Sequence, residues 1–185
     1  MIDDLIQDAV RRMDKSVETT QHEFNSIRTG RAAAALLDHI TVDYYGTATP
    51  LNQLSTINVP EPRMLTVQPF DPSSLKAIEK AIMESDLGLT PSNDGKIIRL
   101  PIPQLTEERR KDLVKVVRQR AEDGRIAVRN VRRDLMHHLK EMVQKGDVGD
   151  DEERRAEERA QKLTDDHVHK IDELLKRKEA EILEV

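Results

Sequence analysis

The chain has 185 residues, no cysteine, 2% aromatic and 35% charged residues, and a formal net charge of -5. That length can bury a core without staples, and the missing cysteine excludes disulfides, thiolate nucleophiles, Cys-type zinc sites and thiol redox switching, as a reducing cytosol would favour. An evenly spread negative charge would also exclude a polyanionic partner, because phosphate recognition needs local positive potential.

The start, Met1-Ile2-Asp3-Asp4, is acidic, and no apolar run reaches membrane-spanning length, so a soluble cytoplasmic protein with no membrane contact is expected. Apolar or small residues then recur at Ile2, Ile6, Ala9, Met13, Val17, Thr20, Phe24 and Ile27, in steps of three and four that predict an amphipathic helix ending near Gly30. All eight prolines fall between Pro50 and Pro103. Residues 31–104 hold only 6 Lys/Arg and 8 Asp/Glu, so a different, less charged fold is expected there. Alternation at Ile40, Val42 and Tyr44 predicts a strand before a turn near Gly46, and Met64 to Gln68 predicts another. Ser73 or Ser74 can cap a short helix running through Ile82 and stopping near Gly88. Asn93-Asp94-Gly95 then turns into a strand over Lys96 to Leu100.

Thr106 is an N-cap candidate for a long helix reaching Gln144, with Leu113, Val117, Ala121, Gly124, Val128, Val131, Leu135, Leu139 and Met142 on one stripe. Gly146 and Gly149 break the pattern. A third helix follows from about Asp151, with Ala156, Ala160, Leu163, His167, Ile171, Leu174 and Ile182 on one side. None of the three helices can hide its stripe alone. The expected fold is therefore α+β: an antiparallel three-helix bundle from residues 1–30 and 105–185, with a small β/α/β-type domain of residues 31–104 inserted in it. Hinges are expected near Gly30 and Arg31 and near Pro103, Gln104 and Leu105, where single strands connect the two parts.

Residues 105–145 carry 12 Lys/Arg against 7 Asp/Glu, while residues 146–185 carry 8 against 14, so the negative total hides a basic segment. Wound at about 100° per residue from Leu113, the long helix places Lys111, Arg118, Arg125, Arg129 and Arg132 at about 100° to 160°, with Lys115, Arg133 and Lys140 at the far edge. Asp112, Asp123, Asp134 and Glu141 gather on the other flank. Charged faces are usually solvated and paired within the helix, but such pairing would interleave the signs, so the segregation favours a phosphate-binding flank. Arginine's planar fork can clasp phosphate oxygens through two hydrogen bonds. With so few aromatics to stack unpaired bases, backbone contacts on structured RNA are expected. Charge alone does not separate RNA from DNA, but no helix-turn-helix or zinc-finger pattern is present and no DNA partner is expected.

No P-loop, G-x-G-x-x-G or G-x-S-x-G occurs, so no enzyme is expected. His167 and His169 point about 200° apart on a helix, and Asp165 with His169 supplies two ligands at most, so no metal or other cofactor is expected. A satisfied interfacial His167 and a solvated His169 are expected instead. On the residues alone, a helical adaptor with merely solvated arginines and an enzyme using His169 and Asp165 remain alternatives.

The run Arg28-Thr29-Gly30-Arg31-Ala32 resembles the ribosome recycling factor family. So do Asp43-Tyr44-Tyr45-Gly46, Glu79-Lys80-Ala81-Ile82, Ser85-Asp86-Leu87-Gly88-Leu89, Leu105-Thr106-Glu107-Glu108-Arg109-Arg110-Lys111-Asp112 and Val128-Arg129-Asn130-Val131-Arg132-Arg133-Asp134, in order and spacing along the whole chain. The resemblance implies an L-shaped, tRNA-like monomer that acts on the post-termination ribosome. Its bundle would grip large-subunit rRNA while elongation factor G, using GTP, pushes on the small domain. It implies rRNA contact by Arg129 and Arg132, with Arg28 and Arg31 nearby, followed by Arg118, Arg125 and Arg133. Ala33-Ala34-Ala35 departs from the proline-containing sequence of many members and implies a less stiff hinge.

Overall fold

A computed structural model describes residues 1–184, which form two compact units, Met1–Phe24 with Val114–Ala180 and Asn25–Leu113 with the residues from Glu181 on. Among the described residues no helix is long and apolar enough to cross a membrane.

The first unit is built from most of α1 (Ile2–Asn25), α4 (Glu107–Gln144) and α5 (Asp150–Leu183), while Asn25, the start of α4 through Leu113 and the end of α5 from Glu181 belong to the second. Thr106 caps α4 by accepting a hydrogen bond from the Arg109 backbone N–H at 3.1 Å, with Glu107 and Glu108 in the first turn where the helix dipole favours acids. Gly146 ends it at φ 79°, with the Asp147 N–H reaching back to the Met142 carbonyl at 3.0 Å. The short connection turns α5 back along α4. Cross-helix pairs then fix the directions: Arg118 with Glu179 and Arg125 with Asp172 make α4 and α5 antiparallel, and Arg12 with Asp134 together with Thr20 against Gly124 makes α1 antiparallel to α4. Asp3 with Arg159 and Asp14 with His167 show that α1 and α5 run the same way.

The apolar stripes meet inside, where Met13 and Phe24 on α1, Val117, Val128 and Leu139 on α4, and Ala160 and Ile171 on α5 are almost wholly buried. Each large apolar side chain so buried contributes roughly 1.5–3 kcal/mol. Two threonines share this core because each hydroxyl is satisfied on its own helix, Thr20 by the Ser16 carbonyl at 3.0 Å and Thr164 by that of Ala160 at 2.8 Å. Gly124 lies against Thr20 and Ile171, so closely that a Cβ there would collide with the threonine hydroxyl.

The second unit holds β1 (Thr41–Tyr44), β2 (Thr47–Pro50), the single turn α2 (Leu51–Leu54), β3 (Ser55–Glu61), β4 (Met64–Pro69), α3 (Leu75–Met83), β5 (Ser92–Asn93) and β6 (Ile98–Pro101). β1 and β2 form a hairpin, and an antiparallel sheet runs in the order β3-β4-β6-β5. Tyr45 and Gly46 turn the hairpin at φ 50° and 81°, the two positive values that a tight two-residue connection requires. Leu37, Val42, Leu51, Leu65, Val67, Ile78, Ile82, Ile98 and Leu100 make a core of their own. Asp71 caps the turn into α3 by accepting from the Ser73 N–H at 3.0 Å, and its other carboxylate oxygen accepts from the Tyr44 hydroxyl at 2.9 Å.

Three expectations shift. α1 stops at Asn25, before the expected Gly30, because residues 26–30 leave the helix. β2 and β3 appear where no strand was expected, since Thr47–Pro50 carries no apolar alternation and all of β3 from Asn58 on is exposed. Ser74 is the N-cap residue of α3, one of the two expected, but makes no side-chain cap hydrogen bond; the side-chain cap is Asp71, on the 3-10 turn before it, with the Ser73 N–H as donor.

Candidate nucleic-acid interface

The arginine flank of α4 faces α5, and this changes what its segregation of charge means. The wheel separates the signs on one helix, but α5 supplies carboxylates to several of these arginines. Arg118 donates through Nε to Glu179 at 2.7 Å. Arg125, with 18% of its side chain exposed, lies 2.6 Å from Asp172 through Nη2 and 3.0 Å from Glu122 through Nη1. Burial by itself would lower the Arg125 pKa, but hydrogen bonds to Asp172 and Glu122 outweigh it and raise it. Arg129 reaches the same Glu122 at 3.2 Å. Part of the segregation is therefore cross-helix pairing, which a single-helix wheel cannot show.

Two arginines stand outside that pattern. Arg132 donates through Nη1 to the neutral Gln161 side-chain oxygen at 2.7 Å. Arg133 is exposed and has no ion-pair partner among the described residues; its charge acts on Asp134, whose carboxyl is lowered chiefly by a hydrogen bond from Arg12. Arg118, Arg125 and Arg129 are thus bonded to the carboxylates Glu122, Asp172 and Glu179, whereas Arg132 and Arg133 are bonded to none among the described residues. The positive surplus sits at Arg132 and Arg133.

Arg28 and Arg31 belong to the second unit. Burial, and then the charge of Arg109, lower the Arg28 pKa, and its Nη1 is buried without a hydrogen-bond partner among the described residues. Arg31 pairs with Glu184, while its backbone N–H donates to the Thr29 hydroxyl at 3.3 Å. Gly30 is open on the side where a Cβ would stand. The two expected hinge segments converge on one corner: the Ala32 N–H donates to the Pro62 carbonyl at 2.7 Å and the Ile102 N–H to the Arg63 carbonyl at 2.7 Å. Pro103 follows, the Gln104 side-chain oxygen accepts from Arg63, and Leu105 is buried. Arg110 lines a cavity of about 200 Å³ here with Arg31, Arg63, Glu181 and Glu184, and its Nε is buried without a hydrogen-bond partner among the described residues.

His167 is satisfied, as expected: its ring nitrogens lie 2.7 Å from the Leu163 carbonyl and 2.7 Å from Asp14. His169 is exposed, 3.9 Å from Glu173. Gln161 and the α5 carboxylates were missed as parts of the flank because they lie 29 to 61 residues further along the chain.

Residues 20–183 match the sequence model of the family described as ribosome recycling factor. The chain is similar to the ribosome-recycling factor of Rubrobacter xylanophilus, 56% identical over 180 residues and 97% of each chain. It is similar also to that of Geobacillus kaustophilus, 54% identical over 185 residues and 100% of each. Among solved structures, a ribosome recycling factor in solution superposes with a TM-score of 0.80 at 42% identity, covering 100% of this chain and 98% of that one. A Thermus thermophilus ribosome recycling factor, described with Escherichia coli elongation factor G on the Escherichia coli post-termination complex, superposes with a TM-score of 0.70 at 49% identity over 100% of both chains.

Proposed function

The chain belongs to the ribosome recycling factor family, and from that premise we propose that it works with elongation factor G and GTP to split the post-termination ribosome, holding large-subunit rRNA through the arginine flank of α4. The observation that carries the rRNA reading is the positive surplus at Arg132 and Arg133, beyond the arginines already bound to carboxylates. Exposed guanidinium groups that keep their charge can exchange bound counterions for phosphates, the chief source of affinity for a nucleic-acid backbone. Arg132 and Arg133 are the first contacts in this reading, followed by Arg129, which pairs with Glu122 through Nη1 alone, with Arg28 and Arg31 in support. Arg118 and Arg125 have part of their charge bound internally and contribute less.

The nucleotide chemistry belongs to the partner, so the chain itself needs no cofactor, metal or catalytic residue and acts as a monomer in the cytoplasm. Residues 31–104 then receive the push of elongation factor G, and Gly30, Arg31, Pro103, Gln104 and Leu105 yield to it. What supports the hinge is that both connections are single strands tied to one corner, Pro62 and Arg63, by one backbone hydrogen bond each.

A subunit-splitting assay with and without elongation factor G and GTP tests the activity. In the binding arm, Arg132→Ala weakens the hold on large subunits and lowers the slope of log affinity against log salt by roughly 0.7–0.9, the value for one lost phosphate contact, with helicity unchanged. Unchanged binding and slope would reject Arg132 as a contact.

A further inference from the structure

We propose that Gln161 is a positioning residue, which fixes the Arg132 guanidinium while leaving its charge available to a phosphate of the nucleic-acid backbone. The proposal rests on the rRNA reading above and assigns a role to a neutral side chain on a different helix.

The arginines of the flank differ in what holds them. Asp172 occupies both Nε and Nη2 of Arg125, which is the edge that would otherwise clasp a phosphate side-on. Glu179 takes Nε of Arg118. Arg129 keeps that edge but donates Nη1 to the carboxylate of Glu122. Arg132 donates Nη1 to an amide oxygen at 2.7 Å, so it is held by a hydrogen bond that carries no opposing charge, and its Nε and Nη2, with no partner among the described residues, are left for a second ligand.

Gln161 is itself fixed. Its Nε2 donates to Asp165, one turn further along α5, at 2.9 Å. The two bonds set the amide orientation: the oxygen faces a donor, the nitrogen faces an acceptor, and turning the amide over would lose both. The carboxylate that anchors the arrangement is thereby kept one amide group away from the guanidinium. A carboxylate at position 161 would pair with Arg132 and compete with phosphate for its charge, while losing the donor to Asp165 and meeting that carboxylate as a like charge. A long arginine held before binding has less rotamer freedom left to lose when it grips. Gln161 thus gives Arg132 the order of an ion pair without its neutralisation.

Gln161→Glu, nearly the same shape, separates positioning from simple bridging between the helices. Binding to purified large subunits, its salt slope and the thermal midpoint are measured for Gln161→Glu, Gln161→Met, Arg132→Ala and the double variant Arg132→Ala/Gln161→Glu. Gln7→Glu, on an exposed position of α1, controls for added negative charge. Gln161→Glu is expected to weaken binding about three- to tenfold and to flatten the salt slope, with the thermal midpoint changed little, the new pair with Arg132 being offset by repulsion from Asp165. Gln161→Met, which loses the hold but not the charge, is expected to lose less and keep its slope. The double variant should match Arg132→Ala, since Gln161 acts through that side chain. A bridge with only a structural role gives the reverse: Glu binds normally and Met is destabilised. Normal binding by Gln161→Glu beside a weakened Arg132→Ala overturns the positioning role and leaves the rRNA reading standing. Normal binding by Arg132→Ala overturns both.

Discussion

Arg125 on α4 is clamped by Asp172 on α5 through Nε at 2.7 Å and Nη2 at 2.6 Å, with only 18% of its side chain exposed. A guanidinium so placed is part of the helix packing as much as of the surface. Its partners Asp172 and Glu122 are about half exposed, and water can recover them if the arginine is removed. Arg125→Ala is therefore expected to lower stability by about 1–3 kcal/mol, below the cost of breaking a fully buried pair. Arg133→Ala, at an exposed position, should stay within about 0.5 kcal/mol of the parent. Urea unfolding of the two variants checks the difference, and equal losses would mean that Arg125 is a surface charge like any other.

The same residue shows how much of the candidate site could be read from the chain. Arg118, Arg125, Arg129, Arg132 and Arg133 are visible because their spacing puts them on one flank, but a helical wheel describes one helix and omits what faces it. Asp172, Glu179 and Gln161 become neighbours only when the short connection after Gln144 folds α5 back along α4. The long helices were legible because their apolar spacing holds over many turns. Thr164 and Lys178 were not seen as interior positions, being polar residues in an otherwise apolar register. The hairpin was half legible: Val42 alternates and the turn near Gly46 was expected, but β2, Thr47–Pro50, has no apolar alternation to read. β3 offered little to read, since most of it is exposed and it contains Pro60.

Gly124 provides a test of helix packing that opposes propensity. Alanine in the middle of a helix is ordinarily better than glycine by about 0.8–1 kcal/mol. At Gly124 a Cβ would meet the Thr20 hydroxyl at a distance no real pair adopts and the Ile171 Cδ1 at 3.2 Å. Gly124→Ala is therefore expected to destabilise by about 1–3 kcal/mol, as overpacked cores do. Thr20→Ala in the same chain should recover most of that loss, because it removes the atom in the way. Guanidinium unfolding of the two single variants and the double variant decides the matter. A stabilised Gly124→Ala would mean that the helices separate there at little cost.

His167 is buried against α1, its ring nitrogens 2.7 Å from the Leu163 carbonyl and from Asp14, whose side chain is 57% exposed. The asymmetry in burial sets the order of effects. Asp14→Ala returns one ring nitrogen to a half-solvated rim and should cost about 1 kcal/mol. His167→Ala opens a void between the helices as well and should cost about 2–4 kcal/mol. If the two variants unfold at the same denaturant concentration, the ring is held by its hydrogen bond and contributes no packing.

Asp94 gives the second unit a dependence on acid. Its carboxylate accepts from the backbone N–H groups of Ile97 at 2.9 Å and Lys96 at 3.0 Å and from Arg99 at 3.1 Å, and these bonds, the backbone ones foremost, lower its pKa to about 2. A carboxyl that releases its proton more readily when folded adds stability above its unfolded pKa, near 4, and that contribution is lost as pH falls toward about 2. Asp71, lowered chiefly by the Ser73 hydroxyl, and Asp134, lowered chiefly by Arg12, act in the same direction. Asp94→Asn keeps an oxygen for the turn but has no proton to exchange. Its thermal midpoint should therefore fall less steeply than the parent's between pH 4 and pH 2, while the slopes of other surface variants remain those of the parent. Parallel curves for parent and variant over that interval would show that the turn is held equally well without the charge.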